Sequence, residues 1–187
     1  SLTASSGALG DADVVLSATE TSATPETDST EALGGLAVDI SASSDGNDIT
    51  NLSGDVTVEI MFTKAQIEEF IASGDYTIDD FKTNLGYYNE STGSWITLNG
   101  STVSAEVQEN SGDEFVTVDI DTFIAGYDST YSSYNDYRIV YTASTDHFTL
   151  FAPIGNTQQA TPSPTPTPTP TPSTKFNLND RVYVSSG

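Results

Sequence analysis

Residues 156–174 read NTQQATPSPTPTPTPTPST and hold six of the chain's eight prolines, each followed by Thr or Ser. Proline fixes φ and removes a backbone donor, so an alternating run cannot enter a helix or a sheet ladder. It predicts an extended polyproline-type spacer, rising ~3.1 Å per residue. Thr/Pro spacers of this composition join modules in extracellular proteins. The run divides the chain into three expected parts: a module at 1–155, a linker at 156–174 and a short segment at 175–187.

The first part reads as mostly strand. Leu36, Val38 and Ile40 alternate, as do Val56, Val58 and Ile60, then Val116, Val118 and Ile120. Period-two alternation places one face of each strand in a core. Further strands are expected over 13–18, 85–88, 95–98, 103–107, 137–141 and 148–152, and the Ile120 alternation gives a strand over 115–120. Turn signals separate them, among them Asp45-Gly46-Asn47-Asp48 and Ser91-Thr92-Gly93. Many short strands with regular turns predict a mainly β protein, an antiparallel β-sandwich with one short helix.

That helix is expected to start at Thr63. Thr63-Lys64-Ala65-Gln66 has capping-box form, Ile67, Phe70 and Ile71 make one apolar stripe, and Gly74 is placed to end it. A second turn is expected at Thr77, with Asp80 three residues on. The pattern describes a structural lid over one end of the sandwich.

Charge narrows the function. Lys+Arg total 5 against 27 Asp+Glu, a formal net charge of -22. Nucleic-acid binding requires clustered cations, and there is no such cluster. An anionic membrane surface would repel the module. The acid excess suits a solvated surface in a salty or cation-rich medium. Without cysteine, disulfides, thiolate catalysis and Cys-based metal sites are excluded. No apolar run is long enough to insert in a membrane. The start SLTASSG, lacking Met, is expected of a processed protein or an internal fragment. The expected location is extracellular or on the cell surface.

Three segments together carry a resemblance. They are Gly7-Ala8-Leu9-Gly10 before a strand, GGLAVDISASSDGNDITNLSGDVTVEIMFT at 34–63, and LGYYNESTGSWITL at 85–98, closed by Asp146-His147-Phe148-Thr149-Leu150-Phe151-Ala152. In this order they resemble a β-sandwich module repeated in bacterial and archaeal surface proteins, distantly similar to the sandwich of netrin receptors and ankyrins. The resemblance covers about 7–154, with 126–137 as an insertion. It implies a non-catalytic spacer or adhesion role. Its partners would be neighbouring modules of the same chain and a cell-wall, glycan or protein ligand. KFNLNDRVYVSSG at 175–187 resembles the opening strand of a bacterial Src-homology-3-like barrel, which implies that the parent chain continues.

His147-Phe148-Thr149 also resembles the His-Phe-Ser and His-Leu-Ser/Thr tails of autoproteolytic sandwich domains in adhesion receptors and inflammasome sensors. That resemblance implies Thr149 as nucleophile, His147 as general base and cleavage between Phe148 and Thr149. A neutral imidazole can take a hydroxyl proton near neutral pH, and threonine needs such a neighbour. Trp95 loosely resembles the tryptophan of the adhesion-receptor site, whose cysteines are missing here. The competing expectation is structural: His147 pairs with a backbone carbonyl or a carboxylate such as Asp146 at the strand entrance, and Phe148, Leu150 and Ala152 share one strand face opposite Thr149 and Phe151.

Other constellations are weaker. Asp45, Asn47 and Asp48 in one turn are candidate Ca²⁺ ligands of hard oxygen type, without the spacing of a dedicated calcium loop. Asp119 and Asp121 alternate at one strand end. Tyr127, Tyr131, Tyr134 and Tyr137 punctuate a Ser/Asp/Asn-rich stretch, a composition found in adaptable binding surfaces, and would bind a carbohydrate or protein; the alternative is that they anchor the loop. Asn-x-Ser triplets at Asn51, Asn89 and Asn99 mark surface loops.

Overall fold

The structure, a computed structural model, describes residues 2–4, 15–22, 25, 30–49, 51–109, 112 and 114–156. The expected spacer beyond Asn156, the barrel-like segment at 175–187 and the Gly7-Ala8-Leu9-Gly10 motif lie outside them. The strands are β1 (Leu2–Ala4), β2 (Val15–Thr21), β3 (Thr30–Ala32), β4 (Ala37–Ser44), β5 (Asn47–Asp48), β6 (Asn51–Thr63), β7 (Asn84–Asn89), β8 (Ser94–Thr97), β9 (Thr102–Gln108), β10 (Val116–Asp119), β11 (Asp136–His147) and β12 (Leu150–Asn156). The helices are α1 (Lys64–Ser73) and α2 (Ile120–Gly126).

Two antiparallel sheets form a sandwich. One has the order β1-β6-β11-β9-β10. The other runs β2-β4-β12-β7-β8, with β3 beside β12 and β5 beside β4. The alternation read from the sequence in β4 and β6 supplies part of the core between them, whereas Val116 of the third alternating run is 61% exposed. Val58 and Phe62 of β6, Ala105 and Val107 of β9, and Ile139, Tyr141 and Ala143 of β11 meet Ile40 of β4, Leu85 of β7 and Phe151 of β12. Each Val, Leu, Ile or Phe among them, fully buried, contributes ~1.5–3 kcal/mol. A smaller apolar layer covers the outer face of the second sheet. There Ala37, Ala152 and Ile154 pack with Trp95, whose indole N–H donates to the Pro25 carbonyl at 3.0 Å.

Helix α1 begins and ends as its residues dictate. The Thr63 hydroxyl accepts from the Gln66 N–H, the Gln66 side chain accepts from the Thr63 N–H at 3.0 Å, and Gly74 closes the helix at φ 83. Thr77 and Asp80 form a second capping box over a short 3-10 turn. Ile67 enters the core, and Phe62 meets Phe70, Phe81 and Tyr141 edge to face at 5.6, 5.7 and 6.0 Å. Edge contacts of this kind add ~0.5–1.5 kcal/mol beyond the area they bury.

Two expectations are corrected. The strand expected over 115–120 stops at Asp119, whose carboxylate accepts the N–H groups of Asp121 and Thr122 and caps α2. The fold therefore has two helices rather than one. Ile120, Phe123 and Ile124 supply the apolar stripe of α2, so Ile120 reaches the core from a helix. The second correction concerns Phe148. It packs with Phe151 against the main core, while Leu150 and Ala152 turn to the outer layer. The chain bends at Thr149 as it passes from one sheet to the other, and strand alternation does not carry across the bend.

Candidate functional site at the sheet crossover

The chain's only histidine sits where β11 leaves the first sheet. Pairing with β6 becomes irregular there: Thr145 faces Val56, but His147 faces Asn51, so 52–55 bulge opposite Asp146 alone. Bulges re-aim the side chains beside them. The His147 ring turns against Tyr87, centroid to centroid 4.4 Å and nearly perpendicular. Its Nδ1 lies 2.9 Å from the Asp146 carboxylate and 3.3 Å from the Thr145 hydroxyl. An ionised carboxylate only accepts, so Nδ1 carries the proton it donates. The same bond holds the Asp146 carboxyl below the usual aspartate range. His147 Nε2 is buried and has no hydrogen-bond partner among the described residues.

Thr149 is tied in a different direction. Its hydroxyl donates to the Tyr88 carbonyl at 3.0 Å, and its own carbonyl accepts the Ile40 N–H at 3.1 Å. It thereby links β7 and β4 at the point where β12 begins between them. No hydrogen bond joins His147 to Thr149 among the described residues. Nor is the bond between Phe148 and Thr149 flanked by left-handed backbone, since Asp45 is the only described non-glycine at positive φ. Trp95 lies in the outer layer, paired with Tyr88 rather than with His147.

A groove of ≈ 560 Å³ opens beside this corner, lined by residues that include Asp39, Ser41, Asp48, Tyr87, Glu90 and His147. A second, of ≈ 380 Å³, shares Tyr87 and His147 and includes Asp55, Asn99 and Asp146. Neither is lined by Lys or Arg. Their carboxylates, Asp39, Asp48 and Glu90 in the first and Asp55 and Asp146 in the second, suit donor-rich neutral or cationic molecules and repel anions.

The four tyrosines separate by depth. Tyr137 is fully buried and Tyr127 nearly so. Their hydroxyls meet at 2.8 Å, the Tyr137 hydroxyl also donates to Glu68, and both rings pack on Phe123. Burial pushes the Tyr137 hydroxyl pKa well up, as it does for Tyr141, whose hydroxyl donates to the Phe81 carbonyl at 2.7 Å. Buried as they are, Tyr127 and Tyr137, nominated by the sequence as ligand-binding residues, present no free ring face and pack on Phe123 instead. Tyr131 and Tyr134 are half-buried, stacked edge to face at 5.3 Å.

Asp45 and Gly46, at φ 52 and 78, make the tight two-residue turn between β4 and β5. The calcium candidates Asp45, Asn47 and Asp48 are all exposed there. Asp119 is occupied as a helix cap and Asp121 as the ion-pair partner of Lys82. No group of three or more His, Asp or Glu side chains that could hold a metal occurs among the described residues.

The sequence nominated His147, Thr149 and Asp146 at this corner and missed Tyr87, Tyr88 and Thr145. Thr145 stands two residues from His147 on the same strand face, a signal that period two could have supplied. Tyr88 meets Thr149 from 61 residues away, and nothing local announces that contact.

Comparison with protein-family models, curated proteins and solved structures finds no match. The class is therefore defined by the fold: a mainly β, two-sheet antiparallel sandwich. No helix among the described residues is long and apolar enough to cross a membrane.

Proposed function

We propose that this chain is a non-catalytic extracellular spacer or adhesion module of a larger surface protein. The observation that carries the non-catalytic part is the Thr149 hydroxyl, which donates to the Tyr88 carbonyl and not to His147. A nucleophile needs its base within hydrogen-bond reach. Here the imidazole is engaged by Asp146 and Thr145 on Nδ1, while the threonine stitches two strands together. Support for a spacer comes from the Pro/Thr run that follows the module and from the net charge of -22, which resists association.

The test is the intact mass of the purified chain under denaturing conditions, for wild type and Thr149→Ala. A single full-length species is expected in both. Two fragments meeting between Phe148 and Thr149, lost on substitution, would make this a self-cleaving domain instead.

A further inference from the structure

We propose that Asn99-Gly100 is a site of spontaneous backbone modification, at which asparagine deamidates through a cyclic imide faster than elsewhere in the folded chain. Asn99 is the one asparagine of the sequence followed by glycine. It lies in the turn between β8 and β9, where the Ser101 N–H donates to the Leu98 carbonyl at 3.2 Å and Gly100 takes φ 73. Both residues are exposed. Apart from its chain neighbours, nothing stands within 4 Å of where a Gly100 Cβ would be, so the turn faces open space on that side.

Neither the Asn99 side chain nor the Gly100 N–H makes a hydrogen bond among the described residues. Three other asparagines are tethered. Asn89 Oδ1 accepts the N–H groups of Ser91 and Thr92, Asn47 donates to the Asp45 carbonyl, and Asn135 donates to Gln108. A tethered carboxamide cannot swing its carbonyl carbon onto the following nitrogen without losing those bonds.

The step balances with water alone. The Gly100 nitrogen gives up its proton and bonds to Cγ of Asn99. The Cγ–NH₂ bond breaks and ammonia leaves, giving a five-membered succinimide. Water then opens either carbonyl, leaving aspartate or isoaspartate at position 99.

The position makes the product matter. Two bonds to Leu85 clamp the turn: the Leu98 N–H donates to the Leu85 carbonyl at 2.9 Å, and the Leu85 N–H to the Ser101 hydroxyl at 2.7 Å. Isoaspartate inserts a methylene into the main chain between these anchors. Either product adds a carboxylate to the groove that already holds Asp55 and Asp146. The modified molecule is more acidic and less stable.

The full chain, wild type and Asn99→Gln, is incubated at mildly alkaline pH below its melting temperature. Peptide mapping by mass spectrometry and melting curves follow over time. The expected result is a gain of one dalton, part of it isoaspartate, concentrated in the peptide containing Asn99. The melting temperature falls in step, and Asn99→Gln shows neither change. A rate at Asn99 no greater than that of the other asparagines overturns the proposal. A fall in melting temperature that persists in Asn99→Gln overturns the link to stability.

Discussion

Thr149 and Gly34 show how single residues hold the sandwich together. Thr149 joins β7 to β4 with one hydroxyl and one carbonyl. Gly34 allows α1 to seat. It sits at φ 65, a Cβ there would meet the Phe70 ring at 2.3–2.8 Å, and its N–H donates to the Tyr76 hydroxyl at 3.2 Å. Gly35 has the same φ of 65 with nothing within 4 Å. The pair separates backbone strain from steric overlap. Gly35→Ala is expected to cost ~1 kcal/mol, the left-handed penalty alone. Gly34→Ala is expected to cost ~1–3 kcal/mol more, because a packed aromatic ring must move. Denaturant unfolding of both variants measures the difference; equal losses would show that Phe70 does not constrain this turn.

At the scale of elements, caps decide where strands give way to helices. The Thr63 capping box was readable because every signal lies within four residues, followed by a helical stripe. Asp119 is not legible as a cap because Val116, Val118 and Ile120 continue the strand pattern through it. Both periods fit Ile120, and the competition is settled by the carboxylate on the Asp121 and Thr122 N–H groups and by Phe123 reaching the core. Asp119→Ala is expected to lower stability by ~1 kcal/mol, with Asp119→Ser retaining most of it. Thermal or denaturant unfolding checks this, and an unchanged Asp119→Ala would mean that packing alone sets the start of α2. The same element explains the tyrosines: once α2 brings Phe123 inward, Tyr127 and Tyr137 close over it.

At the scale of the whole molecule, charge is the dominant feature. Every cation among the described residues already has a partner. Lys64 pairs with Glu68, Lys82 with Asp121, and Arg138 with Glu106 while its guanidinium lies 4.2 Å from the Phe115 ring centroid. Asp39, Asp45, Asp48, Asp75, Asp79 and Glu90 are exposed among the described residues and add to a field of one sign, whose self-repulsion opposes the compact state. Salt shortens the reach of that repulsion from ~30 Å at 0.01 M to ~8 Å at 0.15 M. The melting temperature is therefore expected to rise as sodium chloride is added over this range. A flat or falling curve would show that the carboxylates are too dispersed to oppose folding.

The sequence by itself determined what depends on neighbours along the chain: the strand alternation, the capping boxes, the tight turn at Asp45-Gly46, the absence of thiol chemistry and the acidic surface. It also brought attention to the corner at His147, where the expected pairing with Asp146 is present. Only the tertiary structure decided what that corner holds. Whether the Thr149 hydroxyl meets His147 or Tyr88, and whether Tyr137 faces solvent or Phe123, depends on which strands lie adjacent. Those contacts join residues far apart in sequence, and their geometry follows from the sheet order and from the bend between two strands, neither of which local periodicity encodes.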